Sequence, residues 1–239
     1  MTLFRARLVP PRHPGPEWID GGDVGRADWE KALGEIGLVN RFLGGTAPIH
    51  SELRRLARRK SLKEVSLLDV GTGGADIPSS LRRKLARDGI ALRAAGCDLD
   101  PEVARVAHGN GGVDILRCDA FRLPFPEGSF DVVTASLFFH HFTEREGVAL
   151  LMEFQRVAAR LVIVNDLARH KLAWLLIRAI GAVAGASPLF RHDAPLSVLR
   201  GFTVEELARM AGSAGLDGRF RIERRWAFRL LLVVEKGTA

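Results

Sequence analysis

The sequence predicts an α/β fold: a doubly wound, mostly parallel sheet with helices on both faces and a helical cap. Three observations carry this. Short β-branched and leucine-rich runs alternate with helical stretches, the pattern of a parallel sheet covered on both sides. The first of these runs ends abruptly in a glycine-rich turn that opens a helix, in Leu67 to Pro78, L-L-D-V-G-T-G-G-A-D-I-P. Three acids, Asp69, Asp98 and Asp119, end or follow three successive strands. Each alone is compatible with a helix N-cap. Together they surround one crevice at the carboxyl end of a sheet, where such folds bind ligands.

In chain order, Leu8 to Pro16 (L-V-P-P-R-H-P-G-P) reads as a loose proline-rich lead-in. Arg26 to Arg59 reads as two helices broken at Gly44-Gly45, with Trp29, Leu33, Ile36 and Phe42 on one apolar face. Asn40, Arg41 and His50 are placed either to reach a site beneath or to cap and solvate these helices. The basic cluster Arg54 to Lys60 reads as a solvated helix face with Leu53 and Leu56 turned inward. Val65 to Val70 is a strand buried on both faces. Gly71, Gly73 and Gly74 then permit positive φ and remove side chains that would hold a ligand off the backbone. A helix from about Asp76 to Asp88 leads to strand two, Ile90 to Cys97, which ends in D-L-D-P-E. Strand three is Val113 to Arg117, strand four Phe130 to Ala135 after the turn P-F-P-E-G-S, and strand five Leu161 to Val164, followed by Asn165 and Asp166.

These residues resemble the class I S-adenosylmethionine-dependent methyltransferases, closely over Val65 to Asp166 and more loosely to the C-terminus. The resemblance implies a Rossmann-like sheet whose last strands form an antiparallel C-terminal edge, and S-adenosylmethionine as cofactor. By it, the loop Gly71, Thr72, Gly73 and Gly74 touches the methionine part, and Asp69 just before the loop belongs to the cofactor-binding set. Asp98 holds the ribose, with Leu99 beside it. Asp119 reads the adenine amino group with Ala120 as its backbone neighbour, and Ser136 closes the set. The usual D-x-G-x-G-x-G ends here in Ala75, which adds a methyl where the helix begins. Leu123 to Val133, L-P-F-P-E-G-S-F-D-V-V, is similar to the branch containing the quinone-biosynthesis methyltransferases. The family also implies a lid over the cofactor at residues 1–60, a catalytic domain at 61–239 and a cap insertion at about 168–202.

The insertion is apolar: Leu172 to Ala186 reads L-A-W-L-L-I-R-A-I-G-A-V-A-G-A. Interrupted by Arg178, it falls short of the roughly twenty apolar residues that cross a bilayer. Three readings remain: a buried cap helix, which is the first expectation, one wall of an apolar acceptor pocket, a role the same helix can fill, and an amphipathic segment resting on a membrane. Phe190 to Pro195 (F-R-H-D-A-P) reads as a loop, Thr203 to Glu206 as a capping box, and Phe220 to Trp226 and Phe228 to Glu235 as the last strands.

For chemistry, methyl transfer needs alignment and exclusion of water, with a base if a hydroxyl must lose its proton. His140, His141, Asp166 and His192 are the catalytic candidates, with His170 beside them. A metal is not expected, since adjacent histidines diverge and no third ligand has suitable spacing. The expected acceptor is a small hydrophobic molecule, first a phenolic, polyketide or quinol-like lipid methylated on oxygen, with carbon methylation of a quinol ring as its variant. A macromolecular acceptor and a non-catalytic cofactor-binding protein are the other classes.

The net charge of +7 and pI of 10.2 raise nucleic acid as a partner. However, the arginines are dispersed, and strand four continues A-S-L-F where amino-methylating enzymes of nucleic acid carry N-P-P-Y or D-P-P-Y. The charge instead reads as an ordinary solvated basic surface, one that could meet anionic lipid or a negatively charged carrier. Two cysteines, Cys97 and Cys118, and no signal-peptide pattern point to reduced thiols in a cytoplasmic protein.

Overall fold

The computed structural model describes residues 8–21, 25–109 and 113–237. Seven strands, β1 (Glu64–Val70), β2 (Ala91–Asp98), β3 (Asp114–Arg117), β4 (Phe130–Ser136), β5 (Ala158–Leu167), β6 (Phe220–Arg225) and β7 (Arg229–Glu235), form one sheet in the order β3-β2-β1-β4-β5-β7-β6. β1 to β5 are parallel, while β7 runs against both β5 and β6. The strand order reverses between β1 and β4. A crevice must open there, because connections leave to opposite faces.

Alternation along the strands builds two cores. On β7, Leu230, Leu232 and Val234 join the cluster containing Phe139, Leu150, Leu151 and Phe154, while Leu231 and Val233 join Ile49, Leu53, Leu81 and Leu85 on the other face. Truncating Phe154, which is fully buried, to alanine is worth about 3–5 kcal/mol of lost packing.

The helices are α1 (Arg26–Phe42), α2 (Ala47–Lys60), α3 (Asp76–Arg87), α4 (Pro101–Gly109), α5 (Glu144–Val157), α6 (Lys171–Val183), α7 (Pro188–Arg200) and α8 (Val204–Ser213), with short 3-10 turns at Trp18–Gly21 and Phe139–His141. The break at Gly44-Gly45 falls between α1 and α2, and Leu53 and Leu56 of α2 are buried as the pattern requires. Trp29 and Leu33 are buried too, but Phe42 is 64% exposed and does not share their face. Thr203 and Glu206 form the expected capping box at α8.

Two readings are corrected. Phe190 to Pro195 is not a loop but the middle of α7. Ser187 caps it by accepting the Phe190 N–H at 3.1 Å, Pro188 occupies its first turn, and Pro195 is accommodated inside it. The lead-in is not loose. His13 donates to the Leu199 carbonyl and Leu8 accepts from Lys171, so this proline-rich strap takes its partners from α7 and the start of α6. Among the described residues no helix is long and apolar enough to cross a membrane.

Candidate active site

One cavity of about 2040 Å³ opens at the carboxyl ends of β1, β2, β4 and β5. This is about twice the upper end for a single small-molecule site. It runs from the glycine loop to an apolar chamber under the strap, α6 and α7, and so has room for two ligands.

At the loop end, β1 delivers Asp69 into the sheet. Its carboxylate accepts from Thr72 Oγ1 at 2.9 Å and Thr134 Oγ1 at 2.7 Å, which ties the loop to β4. Burial pushes the Asp69 carboxyl up to about 7 despite those bonds. Gly71 has φ +65°, and a Cβ there would overlap the Phe138 ring. Ala75 also adopts the left-handed conformation, at φ 54°, so the methyl that replaces the last glycine is carried with strain rather than avoided. Asp98 lines the cavity. Its two oxygens accept from Gly73 N at 3.2 Å and Asp100 N at 3.2 Å, leaving further lone pairs for a ligand. Burial raises the Asp98 carboxyl, against the lowering effect of these backbone bonds.

Beside the loop, Asp76 and Arg229 face the same space. Arg229 is fully buried; its Nε donates to Leu43 O at 3.0 Å and Nη2 to Asn40 Oδ1 at 3.3 Å, but Nη1 has no partner among the described residues. Burial lowers this guanidinium to about 10, while Asp166 and Asp76 pull it back up. An orphaned buried donor is costly. An anionic ligand group in the cavity would satisfy it. The sequence marks Asp76 only as a helix start and gives no sign of Arg229 as a site residue, since an inward arginine at a strand start leaves no periodic signal.

The chamber end centres on His140. Its Nδ1 lies 2.7 Å from Asp166 Oδ1, and both residues are buried. Asp166 also accepts from the backbone N–H groups of Phe138 and His140, each at 3.2 Å, and of Leu167 at 2.7 Å. Burial alone would raise Asp166, but His140 and the Leu167 N–H hold it below the ordinary carboxylate range. An ionised Asp166 can only accept, so Nδ1 carries the hydrogen toward it and Nε2 is the ring nitrogen that faces the chamber. There Nε2 meets Glu17 Oε1 at 3.5 Å. Glu17 comes from the strap, is 4% exposed, and accepts from Ser197 Oγ at 2.8 Å through its other oxygen. Burial pushes its carboxyl up to about 7. Arg12 and Arg200 clamp the backbone carbonyls of 140–142: Arg200 Nε donates to His140 O at 3.0 Å, its Nη2 to His141 O at 2.6 Å, and Arg12 Nη2 to Phe142 O at 2.7 Å. Glu17, Arg12 and Arg200 were all missed, since they lie far along the chain, on either side, from the histidine they hold.

The remaining candidates fall into place as follows. His141 points its Nδ1 to Asp20 at 2.8 Å and lines the cavity. His170 lines it as well but serves as the α6 N-cap, accepting from Leu172 N at 3.1 Å. His192 does not line it; the ring stacks on Trp18 at 3.8 Å and bonds Asp193 at 2.6 Å. Of the cofactor set, Asp69, Gly71, Thr72, Gly73, Gly74, Asp98, Leu99 and Ser136 line the cavity. Asp119 and Ala120 are outside its lining. Asp119 is exposed and closes a turn onto Phe121 N at 2.9 Å. Asn40 reaches the site; Arg41 lies over the Phe42 ring and His50 pairs with Asp88 at 2.8 Å, both away from it. Cys97 and Cys118 are free thiols. Glu17, His140 and His141 do bring three ligand-type atoms within 4.8 Å of one another, which adjacency in sequence did not suggest. Arg200 Nε, 3.7 Å from Glu17 Oε1, already supplies a cation to that carboxylate.

A strand order of 3-2-1-4-5-7-6, a glycine loop after β1 and an acid at the tip of β2 are the arrangement of the class I S-adenosylmethionine-dependent methyltransferases, and the comparisons with known proteins support that class. Residues 68–161 match the methyltransferase domain family. Among curated proteins, the chain is 29% identical over 205 residues to the demethylmenaquinone methyltransferase of Thermus thermophilus, covering 77% of this chain and 89% of that protein. It is 27% identical over 202 residues to that of Deinococcus radiodurans, covering 77% and 81%. Among solved structures, a putative S-adenosylmethionine-dependent methyltransferase of Methanococcus maripaludis shares the fold with a TM-score of 0.59 at 12% identity, covering 88% of this chain and 94% of that one.

Proposed function

We propose that the protein methylates a hydroxylated aromatic ring that carries an apolar chain, a phenol or quinol, with His140 as the base. The observation that carries this reading is the buried Asp166–His140 pair, which aims Nε2 into an apolar chamber continuous with the glycine loop. S-adenosylmethionine supplies an electrophilic methyl group on a sulfonium. Asp98 holds its ribose hydroxyls, and Arg229 and Asp76 receive the carboxylate and ammonium of its amino-acid end. The apolar lining of the chamber excludes water and positions the acceptor ring. Nε2 of His140 takes the proton of the ring hydroxyl, Asp166 stabilises the imidazolium, and Glu17 receives the proton onward. Because Arg200 pairs with Glu17, the cluster with His141 is assigned to proton handling rather than to a metal.

The phenolate so formed is nucleophilic at oxygen and at the adjacent ring carbon. The names of the curated relatives favour carbon methylation of a quinol. The His–Asp geometry serves oxygen methylation equally, because it acts on the hydroxyl itself. Purified protein, methyl-deuterated S-adenosylmethionine and a panel of long-chain phenols and quinols decide this: fragmentation of the labelled product locates the methyl. His140→Ala is expected to lower turnover by about 10²–10⁴ with cofactor affinity unchanged. Unimpaired turnover in that variant removes His140 as the base, and no labelled product from any ring acceptor removes the substrate class.

A further inference from the structure

We infer that the mouth of the acceptor chamber is an anionic-membrane docking face, built from α6, the end of α1 and the β6–β7 turn. Leu172, Leu175, Leu176, Ile180 and Val183 form one stripe along α6 at spacings of three and four residues, and all are 44% exposed or more, Val183 reaching 89%. The opposite side of the helix does the packing: Ala173 and Gly181 are buried, and a Cβ on Gly181 would sit 3.4 Å from Arg191 of α7. The exposed stripe is therefore surplus to the fold.

Two further exposed apolar groups join it. Leu38 and Phe42 are 56% and 64% exposed near the end of α1, and Trp226 in the β6–β7 turn is 76% exposed. The three elements are neighbours. The ring of His170, which caps α6, lies 5.0 Å from Phe228, and Gly44, just past α1, packs against the Trp226 carbonyl. Exposed apolar surface of this extent on one face marks a contact site.

The occupant is identified by charge and by continuity. Arg41, Lys171, Arg178 and Arg224 are exposed around the stripe, in a chain of net charge +7, which suits anionic headgroups. Leu172, Leu176, Ile180 and Trp226 are at once exposed and part of the cavity lining, so the chamber opens onto the face. With 13 residues, α6 spans about 20 Å at 1.5 Å per residue, short of the roughly 30 Å hydrocarbon core, so it lies in the interface and does not cross it. The route from bilayer to chamber rests on the apolar acceptor proposed above; the docking itself does not.

Flotation of the full chain with vesicles of phosphatidylcholine alone, or mixed about equally with phosphatidylglycerol, tests this without acceptor or cofactor. The protein is expected to float with the mixed vesicles and far less with phosphatidylcholine. The double variant L175D/V183D, at two exposed positions outside the cavity lining, is expected to lose more than about tenfold in partitioning. Its turnover of a short-chain soluble acceptor and its melting temperature should stay unchanged. Wild-type protein that floats with neither composition, or a variant that floats as well as wild type, overturns the proposal. A variant that alters only the sedimentation of the free protein overturns it in favour of self-association. A failed product search with intact flotation would remove the substrate reading alone.

Discussion

Replacing Glu17 with glutamine isolates what it costs to keep an ionised carboxyl in the chamber. Burial lifts the Glu17 carboxyl from an ordinary 4.5 to about 7. The folded protein therefore binds this proton more tightly than the unfolded chain. The associated stability is fully present below 4.5 and is lost as pH rises through 7. The separation between about 7 and 4.5, at about 1.4 kcal/mol per tenfold in proton affinity, comes to about 3 kcal/mol at pH 8. A glutamine at this position cannot ionise, and its amide oxygen still accepts from Ser197 as Oε2 of Glu17 does at 2.8 Å. In urea unfolding, E17Q and wild type should agree within about 1 kcal/mol at pH 5 and diverge at pH 8, with the variant more stable by about 3 kcal/mol. Wild type itself should weaken between those pH values, since Asp69 is raised to about 7 by the same cause. An offset between the two proteins that is equal at pH 5 and pH 8 would refute the argument, because it would show that the carboxyl does not titrate in the folded chamber.

Two cofactor predictions are best read against each other by calorimetry with S-adenosylmethionine and with methylthioadenosine, which keeps the nucleoside and lacks the amino-acid end. Asp98→Ala should weaken both ligands by roughly tenfold or more through loss of a charge-assisted contact, and unchanged affinity would end its ribose assignment. Arg229→Met should weaken S-adenosylmethionine by a similar factor and leave methylthioadenosine within about twofold. Loss of both in that variant would mean that the buried guanidinium, with its bonds to Leu43 and Asn40, serves the fold instead.

The cofactor half of the site was legible because it is written locally. A strand, a turn with positive φ and a helix start follow one another within Leu67 to Pro78, and sterics force their geometry with little help from elsewhere. The central strands β1, β4, β5 and β7 were legible for the same reason, since a strand buried on both faces shows in its composition whatever its neighbours are. The loop reading of Phe190 to Pro195 failed because nothing within those six residues marks a helix. The capping signal that starts the helix, Ser187-Pro188, lay outside the stretch considered.

The acceptor half was only partly legible because its polar residues are held by partners distant in sequence. His140 and Asp166 stood out as polar residues after strand ends, but nothing near them specified which nitrogen would be free. That is fixed by a carboxylate 26 residues on and by Glu17, carried in on a proline-rich strap whose few backbone donors leave its side chains to anchor it. Arg12 and Arg200 make the same point. Each commits its guanidinium to backbone carbonyls of the turn that carries the histidines, so each acts on the orientation of His140 without contacting its ring. Such residues leave no periodicity behind, because their burial answers to a partner's position and not to a helix or strand face. A basic composition thus conceals two populations of arginine: those that solvate helix faces, and a buried few, Arg200 and Arg229 among them, that organise the site.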